Sequence, residues 1–178
     1  MSEEIGSSGR VLPYDSEAPR IFENIKRFLL SVIPLEVEVE HVGSTAIPGL
    51  AGKGIIDVLI ITRQERVWEV VKLLESRGFR YNPEGGAPPE RLFVSGPYRY
   101  KGKDLHIHLH ITFGSKENQD MLLFRDYLRR HPEEAERYYE LKRQWDREAG
   151  SDNDKYGELK TPYVNEVLEK ARKEKLQG

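Results

Sequence analysis

Apolar and polar positions recur along this chain with two different periods, and the periods predict its elements. From Pro19 to Leu30, residues Ile21, Phe22, Ile25, Phe28 and Leu29 fall at helical spacing, and Pro34 ends that region. LEVEVEHVGS then switches to period two. Leu35, Val37 and Val39 lie on one face and Glu36, Glu38 and Glu40 on the other, as in a half-buried strand. GIIDVLIIT, from Gly54 to Thr62, is an almost unbroken apolar run and predicts a central strand buried on both faces, interrupted only by Asp57. Thr62 and Glu65 have the spacing of a capping box. The helix they would open carries the stripe Val67, Trp68, Val70, Val71 and Leu74 and stops at Gly78.

NPEGGAPPE reads as loop. RLFVSG and LHIHLHIT predict two strands of a long hairpin joined through PYRYKGKD. Residues 118–130 read as a helix ended by His131-Pro132, and a second helix runs from Pro132 to about Ala149. GSDNDKYG reads as a loop before a last helix, TPYVNEVLEKARKEK, with proline near its start. No internal repeat is visible. The order predicts an α/β (α+β) fold: a mixed β-sheet flanked by helices, then a helical part over residues 118–178. The expectation is one domain over residues 1–178, with residues 1–10 as a loose tail.

Composition narrows the function classes. With 178 residues, 38% hydrophobic and 33% charged, the chain is expected to be globular and well solvated, with room for a sizeable core. A net charge of -2 gives no global attraction to nucleic acid or to an acidic membrane. The absence of cysteine excludes disulfides, a thiolate nucleophile and a cysteine-held zinc. No run of apolar residues is long enough to span a bilayer, and MSEEIGSSGRVLPYD lacks the features of a secretory signal, so a cytoplasmic setting without a membrane is expected.

Candidate chemistry centres on HVGSTAIPGLAGKGIID, residues 41–57. A strand breaks at Gly43-Ser44, loops, and re-enters as the strand bearing Asp57. A Gly-Ser turn brings bare backbone close to a phosphate, and the hydroxyls of Ser44 or Thr45 can donate to it. Asp57 among isoleucines calls for a partner, either a divalent metal shared with phosphate oxygens or a nearby loop amide. Lys53 in the glycine-flanked loop can pair with a phosphate or be solvated. His41 can line the same hollow or cap the strand end. Arg91, beginning a strand beside the histidine strand, can bind an anion or stay at the surface. Three of the chain's five histidines, His106, His108 and His110, alternate along one strand. Neighbours two apart on a strand are separated by about 6.6–6.8 Å, so two such imidazoles can share one ion but three cannot. The alternative is the polar face of an amphipathic strand.

The Gly-Ser pair, twelve intervening residues and then DVLI resemble the signature of the polymerase-β-type nucleotidyltransferase superfamily. HVGSTAIPGL with IID, HLH at 108–110, LLFRDYLRRHPE at 122–133 and KTPYVNEVL at 160–168 resemble one branch of it, the GrpB family. VLPYDSEAPRIFENI is similar to that family's amino-terminal helix entry. The resemblance implies a nucleotidyltransferase-like fold and a site for a small nucleotide or another phosphorylated ligand, with nucleic acid not indicated and a homo-oligomer compatible. It also implies that HIHLH stands where the superfamily brings in a further acid. Asp57, His108 and His110 would then be both the catalytic and the metal-binding residues, holding Mg, Mn or Zn, with His106 at the rim and His108 alternatively a general base. It makes Arg125 a phosphate clamp, and Tyr156 and Lys160 residues that close over the ligand. The superfamily's second acid falls at Leu59, which cannot ligate a metal. The implied activity is nucleotidyl transfer; the alternatives are a binding module that kept the phosphate pocket and lost transfer, or a metal-dependent hydrolase.

Overall fold

The computed structural model describes residues 13–52 and 54–178; the expected tail and Lys53 lie outside them. They form two compact units. Ser16–Ala46 with Ile55–Met121 build a sheet unit, and Ile47–Gly54 with Leu122–Gly178 build a helical one.

In the sheet unit, helix α1 is Ala18–Val32, and strands β1 (Glu38–Val42) and β2 (Ile56–Ile61) follow. Then come helix α2 (Val67–Glu75), the short β3 (Arg80–Tyr81), and the hairpin β4 (Arg91–Tyr100) and β5 (Lys103–Thr112). The sheet order is β1-β2-β5-β4-β3, with β2 and β5 parallel and every other pair antiparallel. Strand parity assigns the faces. Val39 and His41 of β1, Val58 and Ile60 of β2, Leu109 and Ile111 of β5, and Leu92 and Val94 of β4 share one face by register and are buried. Each aliphatic side chain among them contributes about 1.5–3 kcal/mol by leaving water. α1 covers this face, with Phe22 stacked on His41 and Phe28 meeting Phe79, which packs at Gly96 of β4. The opposite face carries Asp57, Leu59, His106, His108, His110, Arg91 and Phe93.

The sequence reading differs at several ends. Thr62 is no cap: its hydroxyl donates to the Glu36 carbonyl at 3.2 Å and its N–H to Thr112. A 3-10 turn, Gln64–Arg66, leads into α2 instead. Trp68 leaves the apolar stripe, 49% exposed and edge-on to Tyr81. The hairpin loop shrinks to Lys101-Gly102, both at positive φ (47° and 79°), the mirror-image turn whose twist matches paired strands. Pro97 fits within β4 because β3 pairs only Val94 and Ser95, leaving it an edge position. Gly78 does stop the α2 region, at φ 94°.

The helical unit takes the later part of α3 (Lys116–Arg130), then α4 (Pro132–Ala149) and α5 (Asn153–Gln177). α5 begins inside the expected GSDNDKYG loop. Asp152 caps it by accepting from the Lys155 N–H at 3.0 Å, and the helix runs through Pro162. Its core groups Ile47, Leu50, Leu128, Tyr138, Trp145 and Tyr163. Glu134, buried there, accepts from the Tyr163 hydroxyl at 2.9 Å and from Lys170 at 3.0 Å. Among the described residues, no helix is long and apolar enough to cross a membrane.

Candidate functional site

The break after β1 and the start of β2 meet because Val42 pairs with Asp57. Gly43 turns the chain there at φ 79°, a conformation L side chains rarely adopt. The turn lies directly on the carboxylate: a Cβ added to Gly43 would stand 2.5 Å from Asp57 Oδ2. Ser44, half-buried, opens the following 3-10 turn, and the Ala46 N–H closes it onto the Gly43 carbonyl at 3.1 Å.

β5 runs parallel to β2 with His108 beside Asp57 and His110 beside Leu59, so both imidazoles share its face. His108 Nδ1 lies 3.3 Å, and His110 Nε2 3.4 Å, from the same atom, Asp57 Oδ1. Phe93 of β4 packs edge-on against His108 at 4.9 Å and tilted against His110 at 5.2 Å. Arg91 donates from Nη1 to His110 Nδ1 at 2.9 Å. His106 is exposed at the outer end of the row, 5.7 Å from the His108 ring. Burial would push the Asp57 carboxyl up. The hydrogen bonds from His108 and His110 outweigh it and hold the group well below the ordinary carboxylate range. Asp57 is therefore an anion with one oxygen on the histidines and the other under the glycine turn.

The expected His41 contact turns elsewhere. His41 is opposite Val58, one residue out of phase with Val42, and so faces α1. Its Nε2 meets the Thr45 hydroxyl at 2.9 Å, and both residues are buried. They brace the turn from behind. Arg125, Tyr156 and Lys160 belong to the helical unit. Arg125 is buried and pairs with Asp126 at 2.8 Å, and Tyr156 packs edge-on against Trp145. A surface groove of about 490 Å³ lies apart from Asp57, between the start of α1 and the hairpin tip, lined by Arg20, Arg27, Arg99 and Lys101 among others. The reading missed Phe93, and also Glu40, which the register puts opposite Leu59 on the Asp57 face. The alternation of EVEVEH carries the signal for Glu40 once β1 and β2 are paired.

Does this set fit a metal? Donors 3.3–3.4 Å apart have the spacing of ligands around one ion with bonds of about 2.0–2.1 Å. The outer partners oppose it. A guanidinium only donates, so His110 Nδ1 accepts from Arg91 and its proton sits on Nε2, the atom an ion would need. Metal-bound imidazoles have the reverse arrangement, donating from the far nitrogen. Among the described residues, no group of three or more His, Cys, Asp or Glu side chains could hold an ion. The expected Asp57–His108–His110 metal centre, and the hydrolase built on it, do not fit this arrangement.

The family model described as GrpB protein matches residues 9–170. A UPF0157 protein of Pseudomonas aeruginosa is 33% identical over 90% of this chain and 66% of its own. The crystal structure of conserved protein GrpB from Enterococcus faecalis is similar with a TM-score of 0.76 and 29% identity, over 94% of this chain and 99% of that one. The Cid1 poly(U) polymerase is a far more distant likeness, with a TM-score of 0.47 and 11% identity over 66% of this chain and 38% of its own, too remote to carry over a reaction. A family match running almost from end to end, over the same glycine turn and acid that the fold brings together, means that the chain belongs to the GrpB family.

Proposed function

We propose that the Asp57 face of the sheet unit binds a small phosphorylated ligand, a nucleotide foremost, with its phosphates on the Gly43-Ser44 turn. The observation that carries this reading is the contact of Gly43 with the Asp57 carboxylate, where a Cβ would stand 2.5 Å from Oδ2. A side-chain-free turn offers backbone N–H groups at close range, and the adjacent anion sets what can bind. A bare phosphate is repelled by Asp57, whereas one carrying Mg²⁺ is attracted. Mg²⁺ is satisfied by one carboxylate together with phosphate oxygens and water. Asp57 would hold the ion, which would neutralise phosphate charge, and Ser44 would donate to a phosphate oxygen.

Binding without transfer is the better-supported form of this reading. Leu59, standing where the superfamily's second acid falls, is 0% exposed, so that position is filled by core. Two-metal transfer needs both carboxylates. Calorimetric titration of ATP, GTP, CTP and UTP tests the reading. At least one should bind with Mg²⁺ and not with EDTA, and Asp57→Asn should weaken it by about tenfold or more, ~1.4 kcal/mol. No heat from any of the four with Mg²⁺ or Mn²⁺ sinks it. Labelled pyrophosphate released above the Asp57→Asn background would replace binding by transfer.

A further inference from the structure

We infer that Arg91 is a positioning residue: by donating to His110 Nδ1 it fixes His110 as the Nε2–H tautomer, which makes His110 a donor to Asp57 and keeps a histidine-held transition metal off the face. The chain of donors runs one way. Arg91 Nη1 gives to His110 Nδ1 at 2.9 Å, and His110 Nε2 gives to Asp57 Oδ1 at 3.4 Å. A neutral imidazole has one N–H and one acceptor nitrogen, so the first bond determines the second. The partner histidine is set the other way. His108 presents Nδ1 to the same oxygen at 3.3 Å, and an ionised carboxylate only accepts, so the His108 proton is on Nδ1 and Nε2 is left as its acceptor. Two histidines two residues apart on one strand therefore hold opposite tautomers, and only one, His108, keeps a basic nitrogen away from Asp57.

The consequence concerns which cation the face accepts. The donor spacing around Oδ1 would suit a zinc ion if both facing nitrogens were bare. Arg91 prevents this twice, by placing a proton on His110 Nε2 and by adding a cation beside it. What remains is the oxygen of Asp57, a hard ligand suited to magnesium and not to softer metals. This consequence rests on the reading of the face as a phosphate site; the tautomer assignment does not.

Imidazole ¹⁵N NMR of the unliganded full-length protein reads the tautomer directly. The expected result is a protonated Nε2 on His110 and a protonated Nδ1 on His108. A wild-type His110 protonated at Nδ1, or one that ligates stoichiometric zinc through Nε2, overturns the proposal. Arg91→Met removes the donor and should lose the pure Nε2–H pattern and gain zinc affinity by about tenfold or more, the usual scale for an outer-shell partner. Arg91→Lys keeps a donor and should restore the wild-type pattern. An Arg91→Met protein with unchanged His110 nitrogens and unchanged zinc affinity also overturns it. If that variant does not fold, the wild-type spectrum still decides. Failure of every Mg-nucleotide to bind wild type would remove the phosphate reading alone and leave the tautomer standing.

Discussion

At the scale of single residues, the site depends on what Gly43 lacks. Any side chain there would meet the Asp57 carboxylate and also hold a strained positive φ. Gly43→Ala should therefore lower stability by about 1–3 kcal/mol, a fall of several degrees in a thermal melt followed by circular dichroism, and abolish nucleotide binding measured by calorimetry. An unchanged melt would mean that the turn does not press on the acid. The Gly-Ser to Asp57 relation was legible because the spacing is local and the residue types carry the chemistry. His41 was not, because one residue of register turns its side chain from the ligand face to α1. The Arg91–His110 bond was legible only as two residues on neighbouring strands. The antiparallel offset, which pairs Arg91 with Thr112 and Phe93 with His110, decided that they touch.

At the scale of elements, local turn chemistry made some boundaries readable and non-local pairing overrode others. Lys101 sits at φ 47° in a two-residue turn that favours asparagine before glycine. Lys101→Asn should stabilise the protein by about 0.5 kcal/mol, since asparagine tolerates the left-handed region better, as a raised urea midpoint with an unchanged slope would register. In the helical unit α4 and α5 are joined through Glu134, which holds Tyr163 and Lys170 and also meets Arg137 at 3.2 Å. Glu134→Ala strands a buried hydroxyl and should cost about 2–3 kcal/mol in the same assay; a cost near zero would show the network to be ornamental. The Thr62 capping box failed because the Thr62 hydroxyl bonds to Glu36, 26 residues away in sequence. α5 begins earlier than the glycine and proline suggested. Asp152 caps it, and Tyr163, Val167 and Ala171 are buried along it. That packing outweighs the cost of an internal proline.

At the scale of the whole molecule, several glutamates of α4 and α5 link stability to pH. Glu166 is held down to about 2 by its hydrogen bonds from Arg137 and Lys170. Burial would raise Glu134, but Lys170 and Tyr163 hold it below its ordinary value. Arg130 and His131 lower Glu174. Because these carboxyls titrate lower in the folded chain than in the unfolded one, their contribution is whole above the ordinary value of 4.5 and is lost as pH falls towards about 2. Urea midpoints should decline steadily across that window, and Glu166→Gln should flatten the decline; a midpoint that rises there contradicts the ion-pair assignments. The sequence by itself determined the helix and strand periods, the Gly-Ser turn separated from the acid by twelve residues and the family they signal, because each is written in neighbours along the chain. Only the tertiary structure decided that Arg91 reaches His110, that Leu59 is sealed in core and that His41 faces a helix. Those depend on strand register and cross-strand hydrogen bonds between residues far apart in sequence, which no local pattern encodes.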